Sequence, residues 1–235
     1  MACGTGHRSP SRAGLGGGGA ISQEELRYGE VSILVLEDEA STMDLVVRYL
    51  RAASAEAYEQ VVERAGASFQ HWREWPAPKR GEILKKVGDL LTERKAEIAR
   101  AMTREMGKPF FETKGDVQEA IDTAYYAMTM GRQLFGHTVP SEMNNKFNMT
   151  VRRPLGVCGL ITAWNFPVAV PTWKMFPAIL SGNTVVFKPS EEAPHSGMLL
   201  VQVMEDAGVP PGVVNLVQGA AATGQAMVEH PDVAA

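Results

Sequence analysis

From Ser54 onward the apolar positions fall at helical spacing. Tyr58, Val61, Val62, Ala65, Phe69 and Trp72 recur three and four residues apart, with Ser54 fitting an N-cap and Glu56 in the first turn. Pro76 and Pro78 end that helix and start another. Ile83, Leu84, Val87, Leu90, Leu91, Ile98 and Met102 trace its apolar face, and Gly107-Lys108-Pro109 closes it. Val117, Ile121, Ala124, Tyr125 and Met128 predict a third helix with this set facing inward. The period then drops to two. Residues 136–156 read as extended, with Phe147, Met149 and Val151 alternating as in a half-buried strand.

After Pro154 the texture changes again. Residues 157–162 form a short, nearly continuous apolar run, as expected of a strand buried on both faces. The pattern continues with a helix over 168–180, a strand over 184–187, a helix over 196–207, a strand over 213–217 and a helix starting at 223. This βαβαβα order predicts an α/β fold: N-terminal helices, then an open, parallel, Rossmann-like sheet with right-handed crossovers. Such sheets bind ligands at the carboxyl ends of their strands. That directs attention to residues 164–167, 188–191 and 219–224.

The stretch before Ser54 is harder to place. Residues 1–20 are rich in Gly, Ser and Arg, have no hydrophobic period, and are expected to form a disordered tail. Gly14-x-Gly16-x-x-Gly19 matches a dinucleotide fingerprint only formally, since no strand precedes it. Residues 21–53 predict a strand over 31–36 ending at Glu37-Asp38-Glu39, then a short helix carrying Met43, Leu45, Val46, Val47, Tyr49 and Leu50. That order resembles the opening of a response-regulator receiver domain. A plain strand and helix around a solvated acidic turn accounts for it as well. No phosphoacceptor Asp with a following Lys appears before the next unit begins.

Composition narrows the classes of function. Of the 235 residues 45% are hydrophobic and 21% charged, ordinary values for a globular protein. A net charge of -4 gives no reason to expect nucleic acid or an anionic membrane as partner. No apolar stretch is long enough to span a bilayer, and the basic N-terminus lacks the apolar core of a secretory signal, so a cytoplasmic location is expected. Cys3 and Cys158 sit in unlike contexts and suggest reduced thiols. The sequon Asn148-Met149-Thr150 is then a chance match. His7, His71, His137, His195 and His230 show no metal-ligand spacing, and no metal is expected.

Pro154-Leu155-Gly156-Val157-Cys158-Gly159-Leu160-Ile161-Thr162-Ala163-Trp164-Asn165-Phe166-Pro167 resembles the first sheet strand and turn of the aldehyde dehydrogenase superfamily. Trp173-Lys174, Pro177-Ala178, the run Gly182-Asn183-Thr184-Val185-Val186-Phe187-Lys188-Pro189-Ser190-Glu191, Ala207-Gly208-Val209-Pro210 and Gly212-Val213-Val214-Asn215-Leu216-Val217 continue it in register. The helices over 54–132 are similar too, so the resemblance covers roughly 50–235 and rests on several ordered motifs. It implies a cofactor-binding domain over 54–235, with residues 136–156 as an extended hairpin reaching towards an oligomerisation domain.

Each candidate residue has a physical role and a plainer alternative. Asn165 follows a buried strand, where its amide can donate to the alkoxide formed when a thiolate adds to an aldehyde. An Asn in a turn also commonly satisfies its own backbone. Lys188 and Glu191 are spaced to bracket a small diol, and the resemblance places them on the adenosine ribose. A carboxylate there favours NAD over NADP, because it repels a 2′-phosphate. The alternative is a solvated ion pair worth little. By resemblance, Ile161, Ala163 and Trp164 contact cofactor through backbone and apolar surface. Gly219 and Gly224 allow its close approach, across a segment one residue shorter than is usual in the family. Trp173 lines the aldehyde tunnel or is ordinary core, and Lys174 lies near the active site. Cys158, inside a strand, reads as an inert small hydrophobe.

In the family the catalytic thiol, the general-base glutamate and the pyrophosphate loop lie well downstream of the third strand, and this chain ends at Ala235 before them. The expectation is therefore an incomplete dehydrogenase. Intact, it is expected to oxidise a small-molecule aldehyde, with a semialdehyde among the candidates, using NAD rather than NADP, as a homodimer or homotetramer. The 235 residues alone are expected to be inactive. The N-terminal region is expected to depart from the β-hairpin with which relatives begin. Two other readings stay open, a non-catalytic nucleotide-binding or interaction module and a fusion led by a receiver-like segment.

Overall fold

The computed structural model describes residues 25–28, 31–34 and 55–234, with side chains from Tyr58 onward. It divides into two units, Met1–Met43 and Asp44–Ala235. In the first, β1 (Glu25–Tyr28) and β2 (Val31–Leu34) pair antiparallel, with Tyr28 opposite Val31. This corrects the reading of a lone strand and the expected departure from a hairpin start. The overlooked signal is the alternation Glu25-Leu26-Arg27-Tyr28 followed by Gly29-Glu30, since a two-residue Gly-X connection suits the twist of paired strands. An antiparallel hairpin is also not the parallel opening strand of a receiver domain. The predicted tail over 1–20 and helix over 43–50 lie outside the described residues.

The second unit begins with α1 (Ala55–Trp72), α2 (Ala77–Glu93), α3 (Lys95–Met106) and α4 (Phe110–Met130). The apolar face over 83–102, read as one helix, is two. They meet at Arg94, where φ is -92° and ψ 8°, outside the helical basin. Thr92 weakens the turn before it by donating its hydroxyl back to the Gly88 carbonyl at 2.8 Å. The break lets Ile98, Ala99 and Met102 join the core that Leu84, Val87 and Leu91 occupy. α2 and α4 approach closely at Gly81, where a Cβ would lie 2.9 Å from the Met128 carbonyl oxygen.

β3 (Thr138–Val139) and β4 (Asn148–Met149) form a two-residue antiparallel ribbon. Phe147, Met149 and Val151 are 71%, 58% and 64% exposed, so the expected half-buried strand is corrected: its apolar face is uncovered.

The remaining elements alternate: β5 (Val157–Ile161), α5 (Ala169–Leu180), β6 (Thr184–Lys188), α6 (Pro194–Asp206), β7 (Val214–Leu216) and α7 (Ala221–Glu229). The three strands are parallel in the order β5-β6-β7. Successive β6 side chains enter opposite cores, as the two-residue period of a strand requires. Val185 and Phe187 face α2, α4, α5 and α6, while Val186 meets Tyr58, Val62 and Ala65 of α1. Past α7, Val233 bridges Val157 in parallel, and the Ala234 N–H donates to the Val157 carbonyl at 2.8 Å. The chain thus proceeds from β5 to β7 in one direction and returns to the other side of β5. That reversal is a topological switch point, and ligands bind in the crevice at the carboxyl end of such a strand.

Candidate functional site

At that end of β5 and β6 a cleft of about 650 Å³ is lined by Ile161, Thr162, Ala163, Trp164, Lys188, Ser190, Glu191 and Glu192. The structure therefore brings together Ile161, Ala163, Trp164, Lys188 and Glu191, residues drawn from two strands and the turns that follow them. Lys188 ends β6 and is only 4% exposed, yet its ammonium is fully engaged. It donates to the carbonyls of Pro189 at 3.0 Å and Gly219 at 2.5 Å, and lies 3.5 Å from a Glu191 carboxylate oxygen. Glu191 is exposed and faces solvent from the loop. Gly219 and Gly224 do not line the cleft but stand behind Lys188. A Cβ on Gly224 would lie 3.5 Å from Lys188 Cε, and one on Gly219 would overlap the Thr223 hydroxyl. As placed, Gly219 makes room for the Thr223 side chain, whereas a Cβ at Gly224 would meet only ordinary contact.

The loop after Lys188 is anchored by a residue that sequence reasoning missed. Glu105, near the end of α3, accepts the N–H groups of His195 at 2.7 Å and Ser196 at 2.9 Å, and also the Ser196 hydroxyl. α6 has no hydrogen-bonding N-cap side chain of its own, so this carboxylate supplies the cap from another helix.

Asn165 lies on the exposed turn between β5 and α5. Its backbone carbonyl accepts from Lys108 Nζ at 2.8 Å. The same ammonium stands 3.8 Å from the centroid of the Phe166 ring and 3.9 Å from Asp116 Oδ2. Asp116 is buried in α4, and its Oδ1 accepts the Ala169 N–H at 2.7 Å. Burial raises the Asp116 pKa to about 6, against the opposing pull of the Ala169 N–H and Lys108. In the sequence Lys108 stands out only as part of a helix-ending tripeptide. The signal for Asp116 was an acid in the apolar stripe of α4, between buried Thr113 and Val117. Trp173 and Lys174 lie on the outer face of α5 and are exposed, Trp173 at 46%. Cys158 is 6% exposed, and burial pushes its thiol pKa up, away from the reactive thiolate.

The sequence model of the aldehyde dehydrogenase family matches residues 38–235. The chain belongs to the aldehyde dehydrogenase family. That match takes in residues 38–49 as well, beyond the reach of the motifs. Among curated relatives, the α-ketoglutaric semialdehyde dehydrogenase of Bacillus subtilis (strain 168) is 38% identical over 214 residues, covering 91% of this chain and 44% of the relative. A crystal structure of an Escherichia coli NADP-dependent enzyme superposes with a TM-score of 0.75 at 35% identity, covering 76% of this chain and 37% of the other. The crystal structure of PnpE in complex with nicotinamide adenine dinucleotide gives a TM-score of 0.75 at 37% identity, covering 77% of this chain and 37% of the other. The chain spans less than half the length of the curated relatives it matches. No helix among the described residues is long and apolar enough to cross a membrane.

Proposed function

We propose that this chain forms the cofactor side of an aldehyde dehydrogenase, holding the adenosine end of NAD in the cleft and an oxyanion at Asn165. The observation that carries the reading is the Lys188–Glu191 pair, a buried ammonium and an exposed carboxylate 3.5 Å apart in the switch-point crevice. That donor set suits a vicinal diol, since the carboxylate accepts from two hydroxyls and the one Lys188 N–H not held by a carbonyl, now towards Glu191, can donate to one of them. When bound, NAD supplies the hydride acceptor. Ile161 and Trp164, both more than two-fifths exposed at the cleft wall, offer apolar surface to the nucleotide. The Asn165 side chain, exposed beside this wall, can donate to an alkoxide, and one such donor contributes about 3 to 4 kcal/mol to a developing negative charge. Trp173 and Lys174 present an apolar ring and a cation on the outer face of α5, suited to an aldehyde that carries a carboxylate. A semialdehyde substrate is supported by the similarity to the Bacillus subtilis enzyme. The uncovered apolar face of the β3–β4 ribbon supports self-assembly into a dimer or tetramer.

Calorimetric titration of the 235-residue chain tests the cofactor reading. NAD and AMP should bind, and nicotinamide mononucleotide should not compete. Lys188→Met and Glu191→Ala should each weaken NAD about tenfold or more, whereas Asn165→Ala should leave binding unchanged. Affinity for NAD indifferent to both cleft substitutions would remove the assignment. These 235 residues by themselves are expected to form no NADH with aldehydes, because buried Cys158 is no nucleophile. Turnover abolished by Cys158→Ser would reverse that reading.

A further inference from the structure

Lys108 sits in the link between α3 and α4, and Asp116 in the second turn of α4. Neither lines the cofactor cleft. Together they hold both ends of the turn that carries Asn165. One oxygen of Asp116, a residue only 1% exposed, accepts the N–H of Ala169, the first residue of α5. Its other oxygen has no hydrogen-bond partner among the described residues and lies 3.9 Å from the Lys108 ammonium. That ammonium in turn reaches forward to the Asn165 carbonyl at 2.8 Å and lies against the Phe166 ring. A buried carboxylate is tolerated where charge and donors compensate it, so the pair ties α4 to the turn as a unit. Asn165 is exposed, and no hydrogen bond among the described residues fixes its side-chain amide. The backbone of the turn therefore sets where the Asn165 Cα–Cβ bond points, and with it the region its amide can reach.

We propose that Lys108 and Asp116 are positioning residues that fix where the Asn165 side chain leaves its turn, by clamping the backbone of that turn to α4. The consequence for turnover rests on the oxyanion reading of Asn165, but the geometry can be tested apart from it. The chain contains six asparagines, so selective ¹⁵N-asparagine labelling gives six side-chain amide pairs, and Asn165→Ala identifies the relevant one. In Lys108→Met the Asn165 pair should shift and broaden, while those of Asn183 and Asn215, held in the sheet region, stay in place. Lys108→Arg should restore the original signal. Asp116→Asn, which adds a seventh pair of its own, should move the Asn165 pair as Lys108→Met does. Lys108→Arg keeps the charge beside buried Asp116 and should melt within about two degrees of wild type, which separates the amide signal from a loss of fold.

An Asn165 signal indifferent to both substitutions would overturn the proposal. So would equal movement of all six pairs, which would mark a general staple of the fold. In the active enzyme, Lys108→Met should lower kcat about tenfold with KM for NAD unchanged, and should cost nothing further in an Asn165→Ala background. If the spectra respond but Asn165→Ala leaves kcat intact, the clamp stands and the oxyanion reading falls.

Discussion

Asp116 is a carboxyl whose surroundings favour its neutral form. Its pKa rises from 3.8 to about 6, chiefly through burial. The folded chain therefore holds more protons than the unfolded chain between these values. The stability this group contributes is fully present below about pH 4 and is lost as pH rises through about 6. Wild type should accordingly lose stability relative to Asp116→Asn between pH 4 and 7, by at most ~3 kcal/mol. Urea denaturation of both chains across that range measures it. A difference that grows in the opposite direction would mean that Lys108 outweighs burial. Glu191 makes a second prediction at this scale. NADP would bring a phosphate against its carboxylate, so Glu191→Ser should raise the NAD:NADP ratio of Kd values at least tenfold, leaving Lys188 to meet the phosphate. An unchanged ratio in titrations of the two cofactors would reduce Glu191 to a loop solvating group.

Among the elements, α6 shows how distant residues complete local structure. Its first turn depends on Glu105, 91 residues from Ser196 in sequence. Glu105→Ala leaves those donors unpaired and should lower unfolding free energy by about 1 to 3 kcal/mol in urea titrations. A loss below about 0.3 kcal/mol would mean that water replaces the cap. The same distance explains what the sequence did and did not disclose. The βαβαβα order was legible because the strands read as nearly unbroken apolar runs, although only β6 is buried throughout and β5, expected to be, opens to solvent at Ile161. Lys188, Glu191 and Asn165 were legible because they follow those strands directly, and the cleft gathers the first two. The partnership of Lys108 with Asn165 spans 57 residues and leaves no local pattern. The break at Arg94 was hidden because its apolar positions continue the helical period through it. Arg94 pairs with Asp206 at 2.5 Å, across 112 residues. The ribbon over 138–149 misled for the opposite reason: alternation reports which residues share a face, and does not report that anything covers it.

At the level of the whole molecule, β6 is the centre, with Val185, Val186 and Phe187 at 0% exposure between two cores. Phe187→Ala should cost about 3 to 5 kcal/mol, readable as a lowered urea midpoint, because neighbours on a strand packed on both faces have little room to collapse. A loss under 1 kcal/mol would show that this core is loosely filled. The second of those cores depends on α1, and every tie of α1 to the sheet is long. Thr184 reaches the Ala65 carbonyl across 119 residues, Ser68 reaches Pro211 across 143, and His230 meets Glu59 across 171. Measured in time, these separations are delays. A ribosome adding about 5 to 20 residues per second takes roughly 10 to 30 s to travel from Glu59 to His230. During that interval Tyr58, Val62 and Ala65 have been made, and their cover arrives only piece by piece, from Val157 through Val186 and Val217 to Met227. α1 is thus an early product and a late arrival, and its apolar stripe is the surface that a chaperone at the exit tunnel would meet first.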